Sequence, residues 1–224
     1  SSDLKSLTSL ATMGLLPADS LQVSSGVIEL DGKDLLRLDA AQMRALRASQ
    51  LAMVFQEPMT ALNPVHRVGK QIEEVLKLHS TLSAPQRRTK VLQMLEAVHL
   101  PDIERIYDSY PHQLSGGQRQ RIVIAMALIL KPRLLIADEP TTALDVTTQK
   151  QILSLMRELQ EKHGTAVVFI THDFGVVAEI ADRILVMNRG KVVESGTREE
   201  ILARPLQEYT RMLVSSVPSL VPHA

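Results

Sequence analysis

The sequence predicts an α/β fold in which a mostly parallel sheet alternates with helices and is interrupted by a helical insertion. Two observations lead there. Short apolar runs at Leu51–Phe55, Arg133–Ala137 and Ala166–Ile170 read as buried strands, and helical periodicity separates each from the next. From Val68 up to the end of the long apolar run after Leu114, the pattern is helical almost throughout.

The elements follow in order. Residues 6–16 combine small and apolar side chains without an internal proline, which predicts a helix. Val27–Leu30 and Lys33–Leu36 flank Asp31-Gly32 and predict strand, turn, strand. Leu38–Arg47 reads as a short helix, Leu51–Phe55 as a strand and Asn63-Pro64 as a turn. Helices are expected at Val68–Leu78, at Pro85–Val98 and after Leu114. The strand Arg133–Ala137, a helix near Thr147–His163, the strand Ala166–Ile170 and a helix near Phe174–Ile180 come next. Strands Arg183–Asn188 and Lys191–Ser195 flank an Arg189-Gly190 turn, and short helices are expected at Glu199–Ala203 and Leu206–Val214. The proline-bearing tail beyond them is expected to be loose. The chain thus divides into a first core part (1–65), a helical subdomain (66–130), a second core part (131–205) and a tail (206–224).

Composition narrows the function classes. The 25 basic and 25 acidic residues cancel, so no basic field invites nucleic acid. The absence of cysteine excludes disulfides, thiolate metal sites and cysteine-ligated clusters. No apolar run is long enough to span a bilayer, and the first residues lack a signal-peptide pattern. A soluble, cytoplasmic protein that reaches a membrane only through a partner is expected.

The stretch Leu114–Asp145 concentrates the chemistry. Ser115 suits a helix N-cap, and Gly116 and Gly117 let the backbone approach an anion at the positive end of the following helix. Gln118 can add a polar contact. Arg119 and Arg121 place positive charge in the first turn against the helix dipole, which suits a surface meeting phosphate or an acidic partner, or a pair of solvated arginines. Asp138 and Glu139 follow an apolar strand and precede Pro140, a setting for a metal acid beside a base rather than for two solvated loop acids. Gln56, after Leu51–Phe55, has an amide that donates and accepts. His172 follows the strand Ala166–Ile170 in the context ITHD.

These pieces resemble an ABC-type ATPase, with a signature motif at Leu114–Gln118, a Walker B strand at Leu134–Glu139 and a D-loop at Ala143–Asp145. FQEPMTALNP at Phe55–Pro64 and YPHQLSGGQ at Tyr110–Gln118 resemble the ATPase subunits of peptide, nickel and glutathione importers. The resemblance implies a P-loop NTPase (RecA-like) core with an inserted ABC helical subdomain, and ATP and Mg2+ as cofactors. It implies that Asp138 serves the metal, that Glu139 is the general base, and that His172 holds the γ-phosphate, water and base in register. Gln56 would touch magnesium and the attacking water and sense the transmembrane partner. Ser115, Gly116, Gly117 and Gln118 would close over ATP held by a second ABC subunit, with Asp145 coupling the two sites of a homo- or heterodimer. Two transmembrane permease subunits, and through them a solute-binding protein, complete the implied assembly at the inner face of the cell membrane.

One part departs from the pattern. The phosphate loop has the form G-x-x-x-x-G-K-[ST], and here Leu4 stands before Lys5-Ser6 with no preceding glycine. Lys5 aligns with the phosphate lysine and Ser6 with the magnesium hydroxyl. A bare Lys-Ser pair at an exposed N-terminus reads the same way. A fragment, a naturally degenerate subunit and residues missing around the loop each explain the departure. The consistency of every downstream element favours an incomplete or altered N-terminus. An importer ATPase is therefore expected. Its alternative is a nucleotide-sandwich scaffold that lends its signature to a competent partner. A third class, an ABC ATPase acting on DNA or ribosomes, fits neither the charge balance nor FQEPMTALNP.

Overall fold

One of two parallel strands ends at the most buried acids among the described residues, Asp138 and Glu139. The structure, a computed structural model, describes residues 3–17, 19–55, 61–142 and 144–216. Gln56 and Ala143 lie outside the described residues, as do residues 217–224 of the expected loose tail. The chain forms two compact units, residues 25–168 and residues 1–24 with 169–224.

In the first of these, the helices are α2 (Ala40–Leu46), α3 (Val68–His79), α4 (Ala84–Ala97), α5 (Ile103–Asp108), α6 (Gly116–Leu128) and α7 (Val146–His163). The strands are β1 (Glu29–Leu30), β2 (Lys33–Asp34), β3 (Leu51–Val54) and β4 (Leu134–Asp138). β3 and β4 pair in parallel, Leu51 opposite Leu134 and Val54 opposite Ala137. β5 (Ala166–Ile170) completes the order β3-β4-β5, and the division between the units falls within it. Parallel pairing brings the C-terminal ends of β3 and β4 to one edge of the sheet. Leu51, Val54, Leu135, Ile136 and Ala137 are all buried, as continuous apolar runs in parallel strands require. α6 packs on β3, α3, α4 and α7, while α3, α4 and α5 pack on one another.

β1 and β2 keep two residues each of the four expected: Asp31 (φ 50°) and Gly32 (φ 77°) make the expected turn, but Asp34 caps a short 3-10 helix at Leu35–Arg37 that ends β2. Two positive φ angles in a two-residue loop match the right-handed twist of a hairpin. α5 was not expected. It is only six residues long, starts at a left-handed Asp102 whose carboxylate accepts from the Arg105 amide, and buries Ile106 and Tyr107.

Tyr107 organises the helical block. Its fully buried hydroxyl donates to the Glu73 carboxylate, which also accepts from Lys70 Nζ at 3.0 Å. The Arg88 guanidinium lies 4.5 Å from the centre of the Tyr107 ring. Burial works against ionisation of Glu73, but hydrogen bonds from Tyr107 and Lys70 outweigh it and hold the carboxyl below its ordinary 4.5. A depressed carboxyl contributes stability that is complete above its unfolded value and fades as pH falls through its folded value. Urea unfolding of the wild type is therefore expected to lose midpoint steeply below about pH 4.3. Glu73→Gln is expected to be less stable at neutral pH and to flatten that acid limb, and an unchanged limb would contradict the role of Glu73.

The second unit holds α1 (Asp3–Thr12), α8 (Phe174–Ile180), β6 (Arg183–Asn188), β7 (Lys191–Thr197), α9 (Arg198–Ala203) and α10 (Glu208–Ser215). α1 starts earlier than expected and stops at Thr12 rather than Leu16, because Gly14 (φ 60°) turns left-handed before Pro17. β6 and β7 form an antiparallel hairpin around Arg189 (φ 47°) and Gly190 (φ 78°). Ile184, Val186 and Ile201 form its core with Phe174, Tyr209 and Leu213 packed against them. The Glu194 carboxylate accepts from the amides of Leu206 (2.7 Å) and Gln207 (3.1 Å) just ahead of α10, which delays that helix to Glu208.

Candidate functional site

β4 ends in two acids that the protein buries, Asp138 at 6% and Glu139 at 7% exposure. They leave the strand differently. Asp138 is its last residue, whereas Glu139 turns into the left-handed region at φ 47°, uncommon for a residue with a Cβ. The Glu139 carboxylate accepts from Thr142 Oγ1 at 3.0 Å across the turn that Pro140 opens. The Asp138 carboxylate has no donor among the described residues. A little-exposed acid at a strand's end with no donor among the described residues fits a group that binds a cation. No cluster of three acidic, histidine or cysteine side chains stands ready for a metal among the described residues.

α6 and α7 begin side by side. Ser115 caps α6: its hydroxyl accepts from the Gln118 amide at 3.2 Å, and Gln118 Oε1 accepts from the Ser115 amide at 3.0 Å. This reciprocal capping box occupies Gln118 within the helix start. Asp145 caps α7, accepting from the Thr148 amide at 3.0 Å and from Thr148 Oγ1 at 2.7 Å. Those bonds from Thr148 hold the Asp145 carboxyl below its ordinary value. A Cβ on Gly117 would stand 2.8 Å from Thr148 Cγ2, so only glycine permits the approach. Gly116 approaches Leu144 in the same place. Ser115, Gly116, Gly117 and Gln118 are thereby brought together with Asp145.

Arg121 corrects its expectation. It does not stand out as a solvated or phosphate-facing charge: its guanidinium donates to the Val98 carbonyl at 2.8 Å and to Gln151 Oε1 at 3.2 Å. Burial lowers its pKa.

Lys5, Ser6 and His172 belong to the other unit. Lys5 and Ser6 sit in the first turns of α1, and Lys5 Nζ donates to the Thr171 carbonyl at 3.2 Å. His172 lies exposed between β5 and α8, whose N-cap Asp173 accepts from the Gly175 amide at 2.8 Å. Sequence reasoning missed Thr142 and Thr148. The spacing Asp145-x-x-Thr148 ahead of a helix is a capping pattern that could have pointed to the second.

The family model of the ABC transporter matches residues 5–142 of the chain. This chain belongs to the ABC transporter family. A second model, the oligopeptide/dipeptide transporter C-terminal region, matches residues 193–224 of the same ABC chain. The dipeptide transport ATP-binding protein DppD of Bacillus subtilis is 53% identical over 216 residues, covering 96% of this chain and 64% of the relative. The glutathione import ATP-binding protein GsiA of Escherichia coli K12 is 50% identical over 221 residues, covering 96% of this chain and 36% of the relative. The chain thus spans 64% or less of the length of these relatives. Among solved structures, a dimeric ATP-binding cassette in a post-hydrolysis state bound to ADP and Pi superposes with a TM-score of 0.74 at 29% identity. That match covers 88% of this chain and 81% of the other. The cassette cbiO1 of Clostridium perfringens superposes at 0.77 with 29% identity, covering 96% of this chain and 80% of the other. The ABC chain therefore has the P-loop NTPase fold of those cassettes. No helix among its described residues is long and apolar enough to cross a membrane.

Proposed function

We propose that this chain binds and hydrolyses ATP to energise an ABC importer for peptides or a related small solute. The carrying observation is the pair at the end of β4, a buried Asp138 with no donor among the described residues beside a buried, left-handed Glu139 held by Thr142. In this reading Asp138 holds magnesium, with Ser6 and Gln56 as its further partners, and Glu139 takes the proton of the attacking water. Bound magnesium supplies charge neutralisation on the β- and γ-phosphates. Lys5 serves the phosphates, and His172 keeps water and base in register. Ser115–Gln118 serve a nucleotide held by a second ABC subunit, and Asp145 couples the two sites.

The matches to dipeptide and glutathione import proteins and to a peptide-transporter C-terminal region support the solute class. The dimeric cassette supports a two-subunit closure around ATP, driven by the higher affinity of the closed state for nucleotide. Two permease subunits anchor the pair at the cytoplasmic face, and a solute-binding protein feeds them. The helical subdomain 66–130 sits between core parts 1–65 and 131–205 in this scheme.

A specific observation favours a second reading, a scaffold that lends its signature to a competent partner. Leu4 stands where the phosphate loop has glycine, and Lys5 is tied to the Thr171 carbonyl. Phosphate release from Mg-ATP, measured for the chain alone and mixed with a relative carrying an intact glycine-rich loop, separates the two. Turnover by the chain alone is expected, and it vanishes when magnesium is chelated. Turnover confined to the mixture supports the scaffold, and none in either removes the ATPase reading.

A further inference from the structure

We infer that Arg121 is a positioning residue whose guanidinium braces α6 against α7 and so sets the spacing of the caps Ser115 and Asp145. The inference rests on the reading that these caps serve nucleotide. Arg121 Nη1 donates to the carbonyl of Val98, the C-cap of α4, at 2.8 Å, and Nη2 donates to Gln151 Oε1 on α7 at 3.2 Å. One side chain therefore joins three elements. The next residue, His99, adopts φ 55° and places Nε2 3.3 Å from Glu158 Oε2, which ties the same turn to α7 again.

The placement along the helices gives the brace its leverage. Arg121 and Gln151 each stand six residues past their caps, Ser115 and Asp145. At the helical rise, that is about 9 Å along each axis. Gly117 and Arg121 lie four residues apart on α6, Thr148 and Gln151 three apart on α7, so each pair shares one helix face. The helices touch where Gly117 meets Thr148 and are tied one turn further on by Arg121 and Gln151. Two contacts along one stripe fix a crossing angle, which one contact leaves free.

Hollows of about 390 and 240 Å3 flank the guanidinium, and both are lined by His99, Arg121 and Gln151. The acceptors of Arg121 are neutral, so a half-buried cation is kept there for its two-pronged geometry rather than for an ion pair. Lysine offers a point charge that cannot reproduce this fork.

Residue-resolved amide exchange on the full chain, paired with ATP kinetics, tests the brace. Arg121→Ala and Arg121→Lys are expected to speed exchange of the capped Gln118 and Thr148 amides together, by about tenfold, while amides of β3 and β4 keep their protection. Gln151→Ala is expected to do the same, and Arg121→Ala/Gln151→Ala to be no worse than Arg121→Ala. In turnover, kcat is expected to fall about tenfold with KM for ATP unchanged, the mark of misplaced reacting groups rather than weakened binding. Unchanged exchange at both caps, additive effects of the two alanines, or rescue by lysine would each overturn the brace. A wild-type chain without turnover refutes the ATPase reading alone, because the exchange measurements still decide the brace.

Discussion

Replacing Glu139 by glutamine is expected to cut ATP turnover by about a hundredfold to ten-thousandfold, the range a general base supplies. The substitution removes the proton acceptor. Glutamine keeps the length of glutamate, and its Oε1 still accepts from Thr142 Oγ1, which holds the carboxylate at 3.0 Å in the wild type. The left-handed backbone at φ 47° is kept as well. Thermal unfolding is therefore expected to stay unchanged, and ATP affinity to stay within about threefold, since the base acts on water and contributes to the transition state rather than to uniform binding. Phosphate release under saturating Mg-ATP, set beside equilibrium nucleotide binding, checks both halves. Undiminished turnover would take Glu139 out of its role; lost binding would make it a structural acid.

The largest expected effect on stability lies away from the acids, at Gly69. A Cβ built there would fall 2.3 Å from Cδ2 of Tyr107, inside the ring's van der Waals envelope. The ring cannot swing aside, because Tyr107 is 1% exposed, its hydroxyl is held by Glu73 and the Arg88 guanidinium covers one face. Gly69→Ala is expected to cost about 3 kcal/mol, the upper part of the range for overpacking, despite the gain alanine normally brings to a helix. For a chain of this size that lowers Tm by about 6–12 °C. Tyr107→Leu in the same background relieves the clash, so calorimetry of the pair is expected to show the two substitutions strongly non-additive. A Gly69→Ala protein as stable as wild type would mean that α3 and α5 part easily.

What the sequence disclosed and what it hid follow from the range of the interactions. Asp31-Gly32 and Arg189-Gly190 announced their hairpins because turn chemistry is local, and Ser115-x-x-Gln118 announced a capping box for the same reason. Asp138 and Glu139 were legible as a pair at a strand's end, since an apolar run and a proline frame them. α5 was not legible, because six residues are too few to show a helical period. Arg121 was misjudged because one of its acceptors is a backbone carbonyl 23 residues upstream, which no spacing rule reveals. The Tyr107–Glu73 bond spans 34 residues and was invisible likewise. The shortening of β1 and β2 is a matter of where pairing stops, and local propensity does not decide that.

The left-handed turn at Glu139 also bears on how such a chain could fall silent over evolutionary time. The acids and amides with short side chains tolerate that backbone region best. Drift from glutamate to aspartate or asparagine at this position would thus leave the loop at ease while drawing the functional group back by about one C–C bond, 1.5 Å. The backbone would not oppose such a change, and its cost would fall on the bond from Thr142 Oγ1. In the proposed reading, glutamate to aspartate, a single nucleotide change, would silence the base while the helix caps at Ser115 and Asp145 stay in place.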